Sequence, residues 1–154
     1  MQESTEVPMS SENFDHLKLE NQLCFPLYAA SREVIKRYRP FLDEIDLTYT
    51  QYITLMVIWA EETISVRELG KRLFLDSGTL TPVLKSLEAK GFICRSRSAE
   101  DERVLMIRLT EAGAALKEQA SAIPQRMADC IPLSPEDAAE LYRLLYTILE
   151  NSRS

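Results

Sequence analysis

The stretch that decides the fold is SVRELGKRLFLDSGTLTPVLKSLEAKGFICRSRSAEDERVLMIRL, residues 65–109. Its first part predicts a helix that runs to about Phe74. Ser65 and Glu68 have the spacing of a capping box, in which two side chains satisfy backbone N–H groups that the first helical turn leaves unpaired. The helix is therefore expected to start at Val66.

A second helix and a β-hairpin follow in the same stretch. Asp76 or Ser77 supplies the N-cap, and Gly91 ends the helix because glycine adopts the left-handed conformation without steric cost. The periodicity then changes from helical to extended over residues 92–95 and 104–109, which predicts two strands joined by a charged loop. Helix, short turn, helix and hairpin is the order of a winged helix-turn-helix.

Helical patterns continue on the N-terminal side of this unit. An apolar pattern predicts a helix that either begins near Phe25 or is longer and kinked at Pro26, and that ends at Pro40. Thr48 is a suitable N-cap for a further helix over residues 49–60, and the segment 63–65 is expected to be a short extended link.

Two more helices are predicted after the hairpin. The first begins at Thr110-Glu111, runs to about Cys130 and is kinked at Pro124, and the second is capped by Ser134. The expected fold is mainly α with a small β-hairpin, a single winged-helix domain over residues 1–154.

Composition excludes several functional classes. The longest uncharged stretch, residues 47–60, is too short to cross a bilayer, and the first residues lack the basic and apolar segments of a signal peptide. Three cysteines without a CxxC pair favour a reducing cytoplasm over a disulfide framework. The single histidine, His16, argues against a His-based zinc site or a catalytic triad, so no metal, cofactor or catalytic residue is expected.

The charge is distributed unevenly along the chain. The net charge is −6, yet residues 67–108 hold nine Lys and Arg against six Asp and Glu, a local charge of +3. Such asymmetry indicates a face that binds a polyanion, with an ordinary solvated surface as the alternative.

The second helix of the deciding stretch has a pattern suited to the major groove. Its apolar face carries Leu80, Val83, Leu84 and Leu87, and small hydroxyls with one cation lie opposite. An arginine near the hairpin tip is suited to a narrow minor groove, and a neighbouring acid can hold its guanidinium in one rotamer. The residues expected to contact DNA are Ser77, Thr79, Thr81, Lys85, Ser86, Arg95, Arg97, Asp101 and Arg103.

Four motifs carry a resemblance to a known family. LDSGTLTP at residues 75–82 and DER at 101–103 resemble the MarR family of transcription regulators. LENQLCF at 19–25 and LTYTQY at 47–52 resemble, more narrowly, the organic hydroperoxide sensors called OhrR. The resemblance covers about residues 17–150.

This resemblance implies an assembly, a partner and an inducer. It implies an obligate homodimer formed by the helices of residues 13–40 and 111–151, which binds a pseudo-palindromic operator in double-stranded DNA through residues 61–110. The inducer would be an organic hydroperoxide, and the protein would be a cytoplasmic repressor rather than an enzyme.

Cys24 is the expected redox sensor. It directly precedes the predicted helix start, where backbone N–H groups favour a thiolate, although most free cysteines are merely small buried residues. By resemblance, the hydroxyls of Tyr38 and Tyr49 hydrogen-bond the reactive sulfur across the dimer. Tyr28, one helical turn after Cys24, is also placed to line the site. In the two-cysteine type, Cys130 of the other subunit resolves the sulfenate as a disulfide. Otherwise a small thiol traps it.

Other functions remain open from the sequence. Cys94 has the alternation of a packing residue and is assigned no redox role. The same fold also suits a repressor released by a small aromatic carboxylate or another non-oxidant ligand. A thiol peroxidase is disfavoured because the chain lacks a thioredoxin-like βαβ order, and a winged-helix module that binds no DNA is a further alternative.

Overall fold

The computed structural model describes residues 14–152 and divides the chain into two compact units, one ending at Val34 and the other beginning at Ile35. The first residue of the segment 13–40 and both ends of the predicted domain 1–154 lie outside the described residues. Within the first unit, two short 3₁₀ helices, Asp15–Leu17 and Leu19–Asn21, precede the long helix α1.

The helix α1 spans Cys24–Asp43, so both proline expectations are decided. Pro26 lies in the first turn, where its missing N–H costs nothing. The predicted end at Pro40 was wrong, since the helix continues for three more residues. Pro40 is exposed and removes only one backbone bond, whereas Leu42 beyond it is 2% exposed and is anchored by burial.

The second unit contains the predicted helix-turn-helix. Helix α2 (Tyr49–Glu61) starts with the expected cap on Thr48, and α3 (Val66–Leu73) starts with the cap on Ser65. Helix α4 (Ser77–Ala89) is capped by Asp76. The apolar core joins these helices to the sheet, and its most deeply buried residues, each no more than 2% exposed, include Leu55, Ile58, Leu69, Leu80, Leu84, Leu87, Ile93 and Ile107.

Helix α4 tolerates an internal proline. The helix begins at Ser77, where the Asp76 carboxylate accepts from the Thr79 N–H at 2.8 Å. Pro82 therefore lies inside α4 on its exposed side. The buried leucines on the other side hold the helix together.

The sheet has one strand more than the predicted hairpin. Strands β2 (Ile93–Arg97) and β3 (Leu105–Leu109) form the hairpin, called the wing below. The expected link became β1 (Thr63–Ser65), which pairs antiparallel with β3, so the strand order is β1-β3-β2. Three residues are too few to give a periodic signal in the sequence. Their strand conformation depends on the pairing with β3.

The chain after the sheet forms three helices. The single kinked helix predicted over this region is in fact two helices, α5 (Glu111–Ala120) and α6 (Ile123–Ala128), because Pro124 takes a first-turn position that needs no N–H. Helix α7 (Pro135–Asn151) starts as predicted, with Ser134 accepting from the Asp137 N–H at 3.1 Å. None of the helices between residues 14 and 152 combines the length and apolarity needed to span a bilayer.

Candidate functional site

The outer face of α4, the candidate recognition helix, presents the predicted polar residues. Ser77, Thr79 and Lys85 are exposed, and Thr81 and Ser86 are half-buried. The two threonine hydroxyls already donate within the helix, that of Thr79 to the Asp76 carboxylate at 3.2 Å and that of Thr81 to the Ser77 carbonyl at 2.6 Å. They therefore meet a DNA partner as acceptors, or as donors after a rotation.

The wing tip has the predicted pairing of an acid with an arginine. Arg103 Nε lies 3.1 Å from Asp101 Oδ1, and the Arg103 N–H donates to the same oxygen at 3.0 Å. Hydrogen bonds from Arg103 hold the pKa of Asp101 below its usual value. The side chain of Arg103 is 91% exposed, so its guanidinium is both oriented and accessible.

The base of the wing contains an ion pair that the sequence did not predict. Arg95 is half-buried and its guanidinium is paired with Glu88 of α4, with Nη2 2.6 Å from Oε2. The hydrogen bond from Arg95 lowers the pKa of Glu88. Arg95 thus fastens the wing to the recognition helix, whereas exposed Arg97 donates only a long bond of 3.4 Å to the Arg103 carbonyl.

The tyrosines Tyr38, Tyr49 and Tyr52 form an aromatic cluster, called the tyrosine cluster below. The ring centroid of Tyr38 lies 4.9 Å from that of Tyr49 and 6.0 Å from that of Tyr52. Burial raises the pKa of Tyr38 above its ordinary value, and the neighbouring phenols of Tyr49 and Tyr52 raise it further. Burial also raises the pKa of Tyr49. These hydroxyls stay protonated at neutral pH and can donate hydrogen bonds.

Tyr52 is the member of the cluster that sequence reasoning missed. Its ring is 3% exposed and also lies 6.5 Å from that of Trp59. The spacing Tyr49-x-x-Tyr52 places both rings on one side of a helix, and this was the available signal.

Cys24 and Tyr28 belong to the first unit. Cys24 is exposed and is itself the first residue of α1, one residue before the predicted start near Phe25. Tyr28, one turn further, is 58% exposed, and its hydroxyl accepts from Arg32 Nη1 at 3.2 Å.

Cys130 belongs to the second unit and lies just after α6. It is half-buried, and its carbonyl accepts a hydrogen bond from the Arg37 guanidinium. The pKa of Arg126 is raised, first by a hydrogen bond with Glu44 and also by its Coulomb interaction with the nearby Cys130. Two arginines therefore stand near the cysteine predicted to resolve the sulfenate, a feature absent from the sequence reasoning.

Cys94 does not have the predicted packing role. It is exposed on β2, with its sulfur 3.8 Å from the Arg108 carbonyl, whereas its neighbour Ile93 is 2% exposed. The alternation was assigned one residue out of register, which reverses the face of every side chain in a strand. In the part of the chain that the structure describes, no group of three His, Cys, Asp or Glu could hold a metal ion.

Comparisons with known proteins agree with this geometry. A family model described as transcriptional regulator SarA/Rot matches residues 36–120. The organic hydroperoxide resistance transcriptional regulator of Bacillus subtilis (strain 168) is 54% identical over 137 residues, which cover 89% of this chain and 93% of that protein.

Solved structures extend the comparison to protein–DNA complexes. The structure of reduced AbfR bound to DNA has a TM-score of 0.71 at 34% identity, and the match covers 86% of this chain and 92% of that one. A further similar structure is that of AbfR of Staphylococcus epidermidis. A mutant MarR from E. coli complexed with operator DNA has a TM-score of 0.71 at 26% identity over 82% of this chain and 93% of that one. The chain belongs to the MarR family of winged helix-turn-helix transcription regulators, in the branch of the organic hydroperoxide resistance regulators.

Proposed function

We propose that this chain is a homodimeric repressor that binds operator DNA through α4 and the wing and releases it when an organic hydroperoxide oxidises Cys24. The observation that carries the proposal is the exposure of Cys24 at the first turn of a helix of 20 residues. This position leaves the sulfur accessible to a peroxide, and the thiolate of a cysteine is the form that reacts with peroxides.

The oxidation balances with the hydroperoxide as the only oxidant. The Cys24 thiolate attacks the distal peroxide oxygen, an S–O bond forms, and the O–O bond breaks. The leaving alkoxide takes a proton and departs as an alcohol, so the sulfur becomes sulfenic acid while the peroxide is reduced. Exposed apolar neighbours, Leu23 and Phe25, favour an organic peroxide over a hydrated one.

The tyrosine cluster supplies donors to the sensor sulfur in this proposal. Tyr38 and Tyr49 keep their protons because burial raises the pKa of both. We expect them to reach Cys24 of the other subunit, and Tyr28 to line the same pocket. A protonated phenol stabilises the thiolate by a charge-assisted hydrogen bond.

Cys130 is proposed to complete the switch. Its thiol attacks the sulfenate sulfur of the partner subunit, a disulfide forms, and water leaves. AbfR has been solved as a disulfide form and also as an overoxidized form bound to DNA, which favours the disulfide as the releasing species. Capture by a small thiol, giving a mixed disulfide, is the alternative resolution.

Exposed apolar residues support the dimer. On α7, several large side chains are 39–64% exposed, namely Leu141, Tyr142, Leu144, Tyr146 and Ile148. An amphipathic helix with such a face gains stability from a partner. In a dimer, two recognition helices about 34 Å apart enter successive major grooves of a pseudo-palindromic operator. A disulfide between the subunits changes that spacing and so releases the DNA. The protein acts in the cytoplasm in this proposal.

A second candidate is release by an amphipathic carboxylate. A groove of about 1270 Å³ lies between α3, α4, the wing and the end of α7, with Val66 and Leu80 among its apolar lining and Arg67 and Arg103 among its cations. Such a lining suits a ligand with an apolar body and one negative charge.

The test of the proposal is a mobility shift with a duplex spanning the DNA immediately upstream of the gene that encodes this chain, called the promoter duplex below. We expect reduced protein to shift it and cumene hydroperoxide to abolish the shift. Non-reducing electrophoresis of the same samples should show a covalent dimer that Cys130→Ser removes. Release of the duplex by salicylate but not by the hydroperoxide would favour the second candidate.

A further inference from the structure

One buried amide joins the start of α2 to the recognition helix. Gln51 is 5% exposed, and its Nε2 donates to the Ser86 hydroxyl oxygen on α4 at 2.8 Å. Its Oε1 accepts from the Thr48 N–H at 3.0 Å, completing the capping box of α2. The same side chain thus caps one helix and holds the other.

A second link lies one turn further along the chain. Lys90, the C-cap residue of α4, donates to Gln51 Oε1 at 3.3 Å and forms an ion pair of 3.2 Å with the Asp46 carboxylate. Lys90 also donates to the Asp46 carbonyl. The last two turns of α4 are therefore tied to the segment that leads into α2.

The start of α2 also carries part of the tyrosine cluster. Tyr49 is the first residue of α2 and directly follows the cap residue Thr48. Its ring lies 4.9 Å from that of Tyr38. A displacement of the Tyr49 backbone therefore moves the turn in which Gln51 makes its bonds.

The hydrogen bond between Gln51 and Ser86 restricts the rotation of α4. The buried face of α4 packs through leucines, and this apolar packing is less directional than a hydrogen bond. A hydrogen bond from a buried amide is directional, and an unpaired buried amide is costly. Within residues 14–152, no buried side-chain nitrogen or oxygen lacks a partner. If the Gln51–Ser86 hydrogen bond breaks, the Gln51 amide must therefore find another hydrogen-bond partner.

We propose that Gln51 is a positioning residue, which sets the orientation of α4 according to the arrangement of the rings in the tyrosine cluster. With the cluster in its reduced arrangement, Gln51 holds Ser86 and so orients the neighbouring Lys85 toward DNA. When oxidation displaces Tyr49, the Gln51–Ser86 bond breaks and α4 loses its orientation. This inference rests on the proposed function and assigns a route from the sensor to the DNA.

The experiment is a double-mutant cycle on full-length protein. The variants are Gln51→Met, which keeps the length but no hydrogen bonds, Ser86→Ala, and both together. Ser86→Thr tests rescue by a residue that retains the hydroxyl bound by Gln51, and because Ser86 also belongs to the predicted DNA-contact set, its affinity in the reduced state is read separately. The quantity measured is the ratio of the dissociation constants for the promoter duplex after and before treatment with cumene hydroperoxide.

We expect Gln51→Met to reduce this ratio about tenfold, because the reduced protein alone loses affinity. Ser86→Ala should reproduce the loss, the double variant should add nothing, and Ser86→Thr should restore the ratio to within about twofold. Should Gln51→Met fail to fold, Gln51→Glu takes its place in the cycle, since its carboxylate still accepts from the Thr48 N–H but has no N–H to donate to Ser86.

Two results would overturn the inference. In one, Gln51→Met leaves the ratio unchanged although the wild type responds to the oxidant. In the other, Ser86→Ala weakens both states equally and additively with Gln51→Met, as a direct DNA contact would. A wild type that never binds the duplex, or never releases it, refutes the proposed function instead.

Discussion

Arg95 places both Nε and Nη2 on one carboxylate oxygen of Glu88, at 2.9 and 2.6 Å, while its backbone N–H donates to the other oxygen at 3.2 Å. Glu88 is on α4 and Arg95 on β2. The pair therefore sets the position of the wing relative to the recognition helix.

Removing either partner of this pair should weaken DNA binding in the same way. We expect Glu88→Gln and Arg95→Gln each to lower affinity several-fold, because the wing no longer docks at a fixed angle, with an unchanged dependence on salt. Anisotropy titrations of the promoter duplex at several salt concentrations measure both quantities. If Arg95 contacts phosphate instead, Glu88→Gln will leave binding intact and Arg95→Gln will reduce the salt slope.

At the wing tip, the effect of Asp101→Asn on DNA affinity distinguishes an orienting role of the carboxylate from simple charge repulsion of DNA. Arg103→Ala should weaken binding about tenfold. Asp101→Asn should weaken it less, since the guanidinium loses its fixed orientation. General electrostatics predicts tighter binding for Asp101→Asn, because a negative charge is removed. Arg108→Ala is the matched control for charge, as Arg108 is exposed on β3 outside the predicted contact set. An equal loss for Arg108→Ala and Arg103→Ala would contradict a specific role for the tip.

The phenol of Tyr38 in the tyrosine cluster should lose its proton at a higher pH than an ordinary tyrosine, because its pKa is raised. Burial and the neighbouring phenols raise the pKa of Tyr38 above its ordinary value near 10, so folding favours the protonated form. The stability that this preference contributes is complete below the unfolded pKa and is lost as the pH rises through the folded pKa. Near-ultraviolet absorbance of phenolate measures the titration, and Tyr49→Phe should bring the Tyr38 pKa closer to 10. An unchanged midpoint in Tyr49→Phe would contradict the coupling of the two rings.

Gly113 is a steric requirement of the fold. A Cβ at Gly113 would lie 1.9 Å from the Phe92 carbonyl oxygen, and the Gly113 carbonyl accepts from the buried Trp59 indole N–H at 2.8 Å. Gly113→Ala should therefore destabilise the protein by about 3 kcal/mol or more in thermal unfolding. The neighbouring control Ala114→Gly lies on the exposed side and should cost only about 1 kcal/mol. Equal effects would show that backbone propensity, not crowding, decides.

The sequence predicted those features that depend on local chemistry. The caps on Thr48, Ser65 and Ser134 were confirmed, because each places a side-chain oxygen beside an unpaired N–H. The pairing at the wing tip was foreseen for the same reason, since Asp101 and Arg103 are two residues apart.

The features that depend on distant partners were not predicted. The pairing of Arg95 with Glu88 was not predicted, and the DNA contact expected of Arg95 stays a prediction. Gln51 drew no attention, because its partner Ser86 is 35 residues away and only the fold brings the two together. The strand β1 owes its conformation to β3, and no pattern in three residues could reveal that pairing.

The central claim is that one sulfur couples peroxide to DNA release, and Cys24→Ser tests it most directly. The measurement is the dissociation constant for the promoter duplex before and after cumene hydroperoxide, by anisotropy, on wild type and Cys24→Ser. We predict a loss of about a hundredfold for the wild type, roughly 3 kcal/mol, and a change within about twofold for Cys24→Ser. A Cys24→Ser protein that binds the duplex and then releases it like the wild type would contradict the account.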